Sequence, residues 1–273
     1  MEPLIIFFVG ANKMIPNILH FIWIQRRCFG RQEYMVIKSA LKNTRYHIIL
    51  HTNLLAGEAG KYCPYTLLGE RFTLDYQPYT LEYKGIKVRP ATLCDILRIK
   101  ILQEQGGIYS DLDMFWFNPL PSWCRWQPLI GIWENQSYKI VTNSIIASRK
   151  GFDFTPLLKT FDLIFDGLKT KGITDISGDT LKEHLTLFKP TGDFIKSKAS
   201  FILKKRYFNK NNWRKIYGFL TGSLTADDIS LDGICGLHLC GCGLFGQHQI
   251  DTTQLLLKHP TLKMICESLE PKN

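Results

Sequence analysis

"ATLCDILRIKILQEQGGIYSDLDMF", Ala91 to Phe115, reads as a helix, a glycine break and a strand ending in two acids. Leu93, Ile96, Leu97 and Ile101 recur at helical spacing, and Thr92 with Asp95 three residues on has the form of a capping box. Gly106 is a natural helix stop. Beyond it, alternation puts Tyr109, Asp111 and Asp113 on one strand face and Ile108, Leu112 and Met114 on the other. Two carboxylates about 7 Å apart at their Cα atoms can approach one divalent ion. Such an ion offsets both their mutual repulsion and the cost of burial. Asp-x-Asp alone equally describes a solvated turn, but the "MFWFNPL" that follows, Met114 to Leu120, is too apolar for a free surface loop. Asp95 and Arg98, three apart on the helix, share a face. They fit a cap plus an intrahelical ion pair, or a carboxylate that accepts from a ribose beside a guanidinium that reaches phosphate or sugar oxygens.

Outward from this block, "IPNILHFIWIQ" (Ile15 to Gln25) is an apolar run expected to form a strand covered on both faces. A helix is expected over Arg31 to Lys42 and a second buried strand over Tyr46 to Asn53, which together open a nucleotide-binding α/β unit. Residues 56–89 hold many Tyr, Gly and Pro and suggest loops and short helices. Strands are expected at Pro128 to Trp133 and Ile140 to Ser148. Helices are expected at Phe154 to Leu168, Asp179 to Leu187 and Thr252 to Leu269. No linker, repeat or composition shift divides the 273 residues, so a single domain is expected, with residues 15–150 as the ligand-binding core and 151–273 as the remainder.

The net charge of +10 attracts anions. Eight basic residues and no acid fall in Lys196 to Lys215, either a solvated basic face or a contact for an anionic membrane or acceptor. No nucleic-acid module surrounds this segment, and nucleic acid is not expected as a partner. The apolar run Leu4 to Val9 is too short for a signal peptide core or a membrane span, and a cytoplasmic location is expected. The eight scattered cysteines suit reduced thiols. Cys235, His238, Cys240 and Cys242 could supply four zinc ligands, although they lack the usual two-residue knuckle.

Together, "IPNILHFIWIQ", the Ala91 to Phe115 block and "TNSIIASRKG" (Thr142 to Gly151) resemble the DXD-containing sugar transferases. That group includes fungal α-1,6-mannosyltransferases, bacterial capsular and lipo-oligosaccharide transferases, and the large clostridial glucosylating toxins. The resemblance implies a GT-A fold, which is α/β and Rossmann-like with a mostly parallel central sheet. It also implies a nucleoside-diphosphate sugar donor, Mn²⁺ or Mg²⁺, and retaining chemistry. By the same resemblance Trp23 would stack on the nucleobase, and Asn53 would contact base or ribose. Asp95 and Arg98 would hold ribose and donor sugar or phosphate. Tyr109 would touch the diphosphate, Asp111 would bridge ribose, sugar and metal-bound water, Asp113 would ligate the metal, and Asn143 would lie near the donor sugar or acceptor. The carboxyl-terminal loop departs from the family pattern. In "GLHLCGCGLFGQH", Gly236 to His248, His238 could be the extra metal or diphosphate ligand, with His248 as the alternative. Phe245 could replace the usual Trp, and Cys242 or Gly243 the usual Ser.

The expected reaction is hexosyl transfer to an acceptor hydroxyl on a glycan, a lipid-linked saccharide or a protein. A metal held by Asp113 and Asp111 would neutralise the departing diphosphate, helped by Arg98 and His238. The alternatives are a metal-dependent nucleotidyltransferase and a degenerate, non-catalytic binding module.

Overall fold

The computed structural model describes residues 14–24, 29–53, 63–135, 140–178, 181–199, 201–203, 234–238 and 267. Strand β1 (Ile18–Trp23), helix α1 (Arg31–Asn43) and strand β2 (His47–Thr52) form the expected opening unit, with β1 and β2 parallel and in register from Ile18–His47 to Trp23–Thr52. Helix α2 (Pro90–Gln105) leads into β6 (Gly107–Ser110), which lies parallel to β1 on its other side. Strands β8 (Leu129–Asn135) and β9 (Ile140–Ser148) complete the centre, and β9 runs antiparallel to both β6 and β8.

Residues 63–89 depart from expectation. They contain β3 (Phe72–Tyr76), which pairs in parallel with β2 as the sheet's last strand, and a small hairpin of β4 (Glu82–Tyr83) and β5 (Ile86–Lys87). Backbone pairing defines β3 more than hydrophobic patterning does: of its five residues only Phe72 is buried. The sheet order is β10-β8-β9-β6-β1-β2-β3, where β10 is Phe201–Leu203, and all but the two pairings of β9 are parallel. This is the mixed, mostly parallel sheet of a GT-A fold.

Helices cover both faces. Tyr34, Met35, Val36, Ile37 and Ala40 of α1 pack with Leu19, Phe21, Ile48 and Leu50 on one side. On the other, Ile96, Ile99 and Leu102 of α2 join Ile22 and Ile146, together with Phe161 and Phe165 of α3 (Thr155–Thr170) and Ile195 of α4 (Leu181–Lys198). A strand covered on both faces reads as a continuous apolar run, as β1 does. Helix α4 continues eleven residues past the expected stop at Leu187 and carries Pro190 in its interior. Leu187, Thr191 and Ile195, spaced four apart, are all buried, and Thr191 Oγ1 donates to the Leu187 carbonyl at 2.7 Å. Packing of that stripe outweighs the missing proline N–H.

The start of α2 also differs. Its N-cap is Arg89 and its first residue Pro90, a favoured first position because proline has no amide hydrogen to leave unsatisfied. Asp95 therefore lies in the second turn, beyond the capping positions. Among the described residues, no helix is long and apolar enough to cross a membrane. His248, the expected helix Thr252 to Leu269, and the segment from Lys204 to Lys215 lie outside the described residues, as do Cys240, Cys242, Gly243 and Phe245.

Candidate active site at the carboxyl edge of the sheet

The two acids are not on one strand face. Strand β6 ends at Ser110, and the chain turns over Leu112 and Asp113, where the Met114 amide donates to the Asp111 carbonyl at 3.2 Å. It then leaves as β7 (Met114–Trp116). The turn is closed across its base: Trp116 Nε1 donates to Ser110 Oγ at 3.3 Å, and the Trp116 amide donates to Ser39 Oγ of α1 at 3.0 Å. Asp111 and Asp113 are thus gathered by a turn just past the carboxyl end of a parallel strand, the position where open α/β sheets bind ligands. Asp113 is buried, whereas the side chain of Asp111 is 28% exposed.

Arg98 is the hub of this region. It is buried on α2, and its Nη2 lies 2.8 Å from Asp95 Oδ1. Its Nη1 donates to the Asn143 carbonyl at 2.6 Å and lies 3.3 Å from Asp111 Oδ1. The guanidinium stands 4.3 Å from the centre of the Tyr109 ring. Tyr109 in turn donates its hydroxyl to Asp111 Oδ1 at 2.6 Å, and Asn143 Nδ2 donates to Asp95 Oδ1 at 2.8 Å. The Asp111 amide donates to the Ser144 carbonyl at 2.9 Å, which ties the turn to β9. Five residues from α2, β6, β9 and the turn after β6, namely Asp95, Arg98, Tyr109, Asp111 and Asn143, form one network.

Burial works against the charge on Arg98, but Tyr109, Asp111 and Asp95 outweigh it and hold the group above its ordinary value. Burial also pushes the Tyr109 hydroxyl well above the usual tyrosine range, against the pull of Arg98, so it remains a donor to Asp111.

Other expected site residues surround this network. Trp23 ends β1 and is buried, edge-on to Phe29 with ring centres 5.3 Å apart. Asn53 follows β2, and its Oδ1 is buried without a hydrogen-bond partner among the described residues. Thr92, which the sequence suggested only as a cap, also has a buried hydroxyl with no partner there. A short strand, β11 (Gly236–His238), pairs antiparallel with β7 and sets His238 opposite Met114, the residue after Asp113. The Phe117 and Asn118 amides donate to the Cys235 carbonyl, and Asn118 Nδ2 donates to the Ile234 carbonyl at 2.9 Å, so the carboxyl-terminal chain is held beside the turn.

Among the described residues, no group of three or more His, Cys, Asp or Glu side chains could hold a metal ion unaided. The donor set at the turn, two carboxylates, suits a hard cation that takes its remaining ligands as oxygens from elsewhere. Cys63, Cys94, Cys124 and Cys235 are not joined in disulfides among the described residues.

The sequence reading overlooked His20 of β1 and His51 of β2, both fully buried in the sheet. Their signal was available: "NILHFIW" and "IILHTN" each place an imidazole inside an otherwise apolar strand.

No curated protein matches the chain. Among solved structures, the glycosyltransferase GlyE of Streptococcus pneumoniae TIGR4 is similar, with a TM-score of 0.55 and 11% identity over 93% of this chain. The chain spans 63% of the length of GlyE. The PaToxG glycosyltransferase aligns with a TM-score of 0.45 and 17% identity, over 96% of this chain and 82% of its own. The likeness to GlyE is one of fold. Residues 31–130, which run from α1 through α2 and the aspartate turn, match the family described as "Glycosyltransferase sugar-binding region containing DXD motif".

Proposed function

We propose that this chain is a metal-dependent, retaining glycosyltransferase that moves a hexosyl group from a nucleoside-diphosphate sugar to an acceptor hydroxyl. The observation that carries the reading is the junction of the Arg98 network with the aspartate turn at the carboxyl edge of the sheet, inside the segment that matches the DXD sugar-binding region. Fixed donors and charges held in a largely dry site stabilise developing charge with little reorganisation.

In this reading Asp95 accepts from the ribose and Arg98 faces the diphosphate or sugar oxygens. Trp23 flanks the base. The buried Oδ1 of Asn53 and hydroxyl of Thr92 receive partners from the donor, which removes a penalty of about 1–3 kcal/mol for each group left unsatisfied. Tyr109 holds Asp111 in orientation, and Asn143 holds Asp95. Mn²⁺ or Mg²⁺, held by Asp113 and Asp111 with His238 as a further ligand, would supply positive charge to the leaving diphosphate. The bond from the anomeric carbon to the diphosphate oxygen breaks with its electron pair on that oxygen. The acceptor oxygen bonds to the same face of the sugar, and its proton passes to the departing phosphate. The acceptor is a glycan, a lipid-linked saccharide or a protein hydroxyl. The basic run Lys196 to Lys215 is suited to contact with an anionic membrane near such an acceptor, and the cysteines not joined in disulfides among the described residues suit a reducing compartment such as the cytoplasm.

All 273 residues are read as one domain, with residues 151–273 on the acceptor side. The test is a panel of UDP- and GDP-sugars with Mn²⁺ or a chelator, read as free nucleoside diphosphate. Wild type should release it only with metal. Asp113→Asn should lose at least 100-fold in rate and Asp111→Asn should lose less, with folding checked by thermal melting. Release that ignores the chelator, or an Asp113→Asn protein as active as wild type, defeats the reading.

A further inference from the structure

The two buried histidines belong to a chain of hydrogen bonds that crosses the sheet. His20 Nε2 lies 2.9 Å from the Gly106 carbonyl oxygen, and His20 Nδ1 lies 3.0 Å from His51 Nε2. His51 Nδ1 lies 2.7 Å from Asp75 Oδ2 on β3. Leu19 and Phe21 flank His20 and pack with α1, so both imidazoles sit on the α2 side with Ile22. The Asp75 side chain is 33% exposed, so the far end of the chain meets solvent.

The near end meets a joint of the candidate site. Gly106 caps the end of α2, which carries Asp95 and Arg98, and Gly107 starts β6, which leads to Tyr109 and Asp111. Both glycines have left-handed backbone, with φ of 67° and 99°. A Cβ on Gly107 would come within 3.0 Å of His20 Nε2 and 2.8 Å of the Ile18 carbonyl, so the ring lies directly against the joint.

Counting protons limits what this chain can be. A carbonyl oxygen only accepts, so the contact with Gly106 needs a proton on His20 Nε2. The contact between the rings needs a second proton, and the contact between His51 and Asp75 needs a third. Two neutral imidazoles bring only two, so the third belongs to the His51–Asp75 pair, on the second nitrogen of His51 or on the carboxyl. If His51 used its single proton on Asp75, His20 would have to turn its own proton toward His51, leaving a bare nitrogen against the Gly106 oxygen.

We propose that His51 carries both ring protons as a partner of the Asp75 carboxylate. This fixes His20 as the Nε2–H tautomer, and the triad acts as a positioning device for the joint between α2 and β6. Its structural part stands on the contacts alone; its consequence for donor binding rests on the transferase reading.

Burial opposes the third proton. It is the main reason that His20 is lowered to about 3 and that His51 is lowered from its ordinary value, and at His51 it acts against the hydrogen bond and charge of Asp75. The other groups around the triad are His47, whose Nε2 is 2.9 Å from Thr73 Oγ1, Gln77, whose Nε2 donates to Asp75 Oδ1 at 2.9 Å, and Tyr79, whose hydroxyl is raised to about 12 chiefly by burial and next by Asp75. Against the cost of burial stands that of a bare nitrogen facing a carbonyl inside the sheet. We place the larger cost there.

The decisive measurement is ring ¹⁵N NMR of the full chain at neutral pH. Expected are a protonated Nε2 on His20 and two protonated nitrogens on His51. A bare Nε2 on His20 overturns the proposal, as does a His51 with one bare nitrogen. The Asp75→Asn variant gives a second test. Its amide can donate to His51 Nδ1, so the third proton is supplied covalently and His20 should keep its Nε2–H tautomer with His51 neutral. His51→Phe removes the relay and should shift the backbone amides from Gly107 to Asp111, whereas Asp75→Asn should leave them in place. Unmoved amides in a folded His51→Phe protein would defeat the positioning role. Binding of UDP and GDP with Mn²⁺ should weaken by roughly five- to tenfold in His51→Phe, as a misplaced ligand-bearing element does. If wild type binds neither nucleotide while the tautomers are as expected, the donor reading falls and the triad stands.

Discussion

Two regions of this protein are built from nearly the same parts. In one, Arg98 sits between Asp95 and Asp111 beside the ring of Tyr109, whose hydroxyl donates to Asp111. In the other, Lys84 on the β4–β5 hairpin lies 2.8 Å from Asp166 and 3.8 Å from Asp162 of α3, and Tyr83 donates its hydroxyl to Asp162 at 2.7 Å. Each has one cation, two aspartates and a tyrosine. The difference is solvent. Asp162 and Asp166 are 43% and 52% exposed, whereas Asp95 is 1% exposed and Arg98 is buried. Water screens the outer cluster, so it adds little to stability. Asp95 and Arg98 have given up their hydration and depend on each other and on Asp111, which keeps part of its own at 28% exposed. Such an arrangement is a poor stabiliser relative to apolar packing. It makes sense where fixed charge has a ligand to meet.

That comparison can be broken by mutation. The largest effect is expected at Arg98. Arg98→Met strands Asp95 and Asp111 and should cost about 3–5 kcal/mol in urea unfolding. A loss no greater than that of a surface substitution would show that the network is hydrated and that the contrast is false. Next comes Asn143→Ala, which removes one donor from a buried carboxylate while leaving the carbonyl that Arg98 uses. It should cost about 1.5–3 kcal/mol, and donor release should fall with it. Smallest is Asp166→Asn in the outer cluster, which should leave the urea midpoint unchanged within error. Raising ionic strength should erase any residual effect there and leave the Arg98→Met loss intact. A salt-sensitive Arg98 penalty would reverse that assignment.

Much of the site was legible in the chain because its residues are close in sequence. Asp95 and Arg98 share a helix face by spacing alone, and the acids follow a glycine pair that ends the helix. Asn143 came through resemblance of its block to a known pattern. The errors share one cause. The capping box at Thr92 and Asp95 obeys a local rule, yet Pro90 starts the helix earlier and Asp95 turns to Asn143, 48 residues away. Alternation was carried through Asp113, although the chain leaves the strand at Ser110, where Trp116 and Ser39 close a turn. Strand β3 has only one buried residue, so it gave no apolar pattern to read.

By itself, then, the order of residues determined the parallel opening unit, the helix that carries Asp95 and Arg98, and the presence of two acids at a strand end. Those follow from hydrophobic period and glycine punctuation, which act over a few residues. Only the tertiary structure decided that Arg98 is buried among its partners, that β11 returns to set His238 beside the turn, and that His20, His51 and Asp75 meet across three strands. Each of these depends on which groups lose water together, and burial is a property of the packed sheet that no short stretch of chain contains.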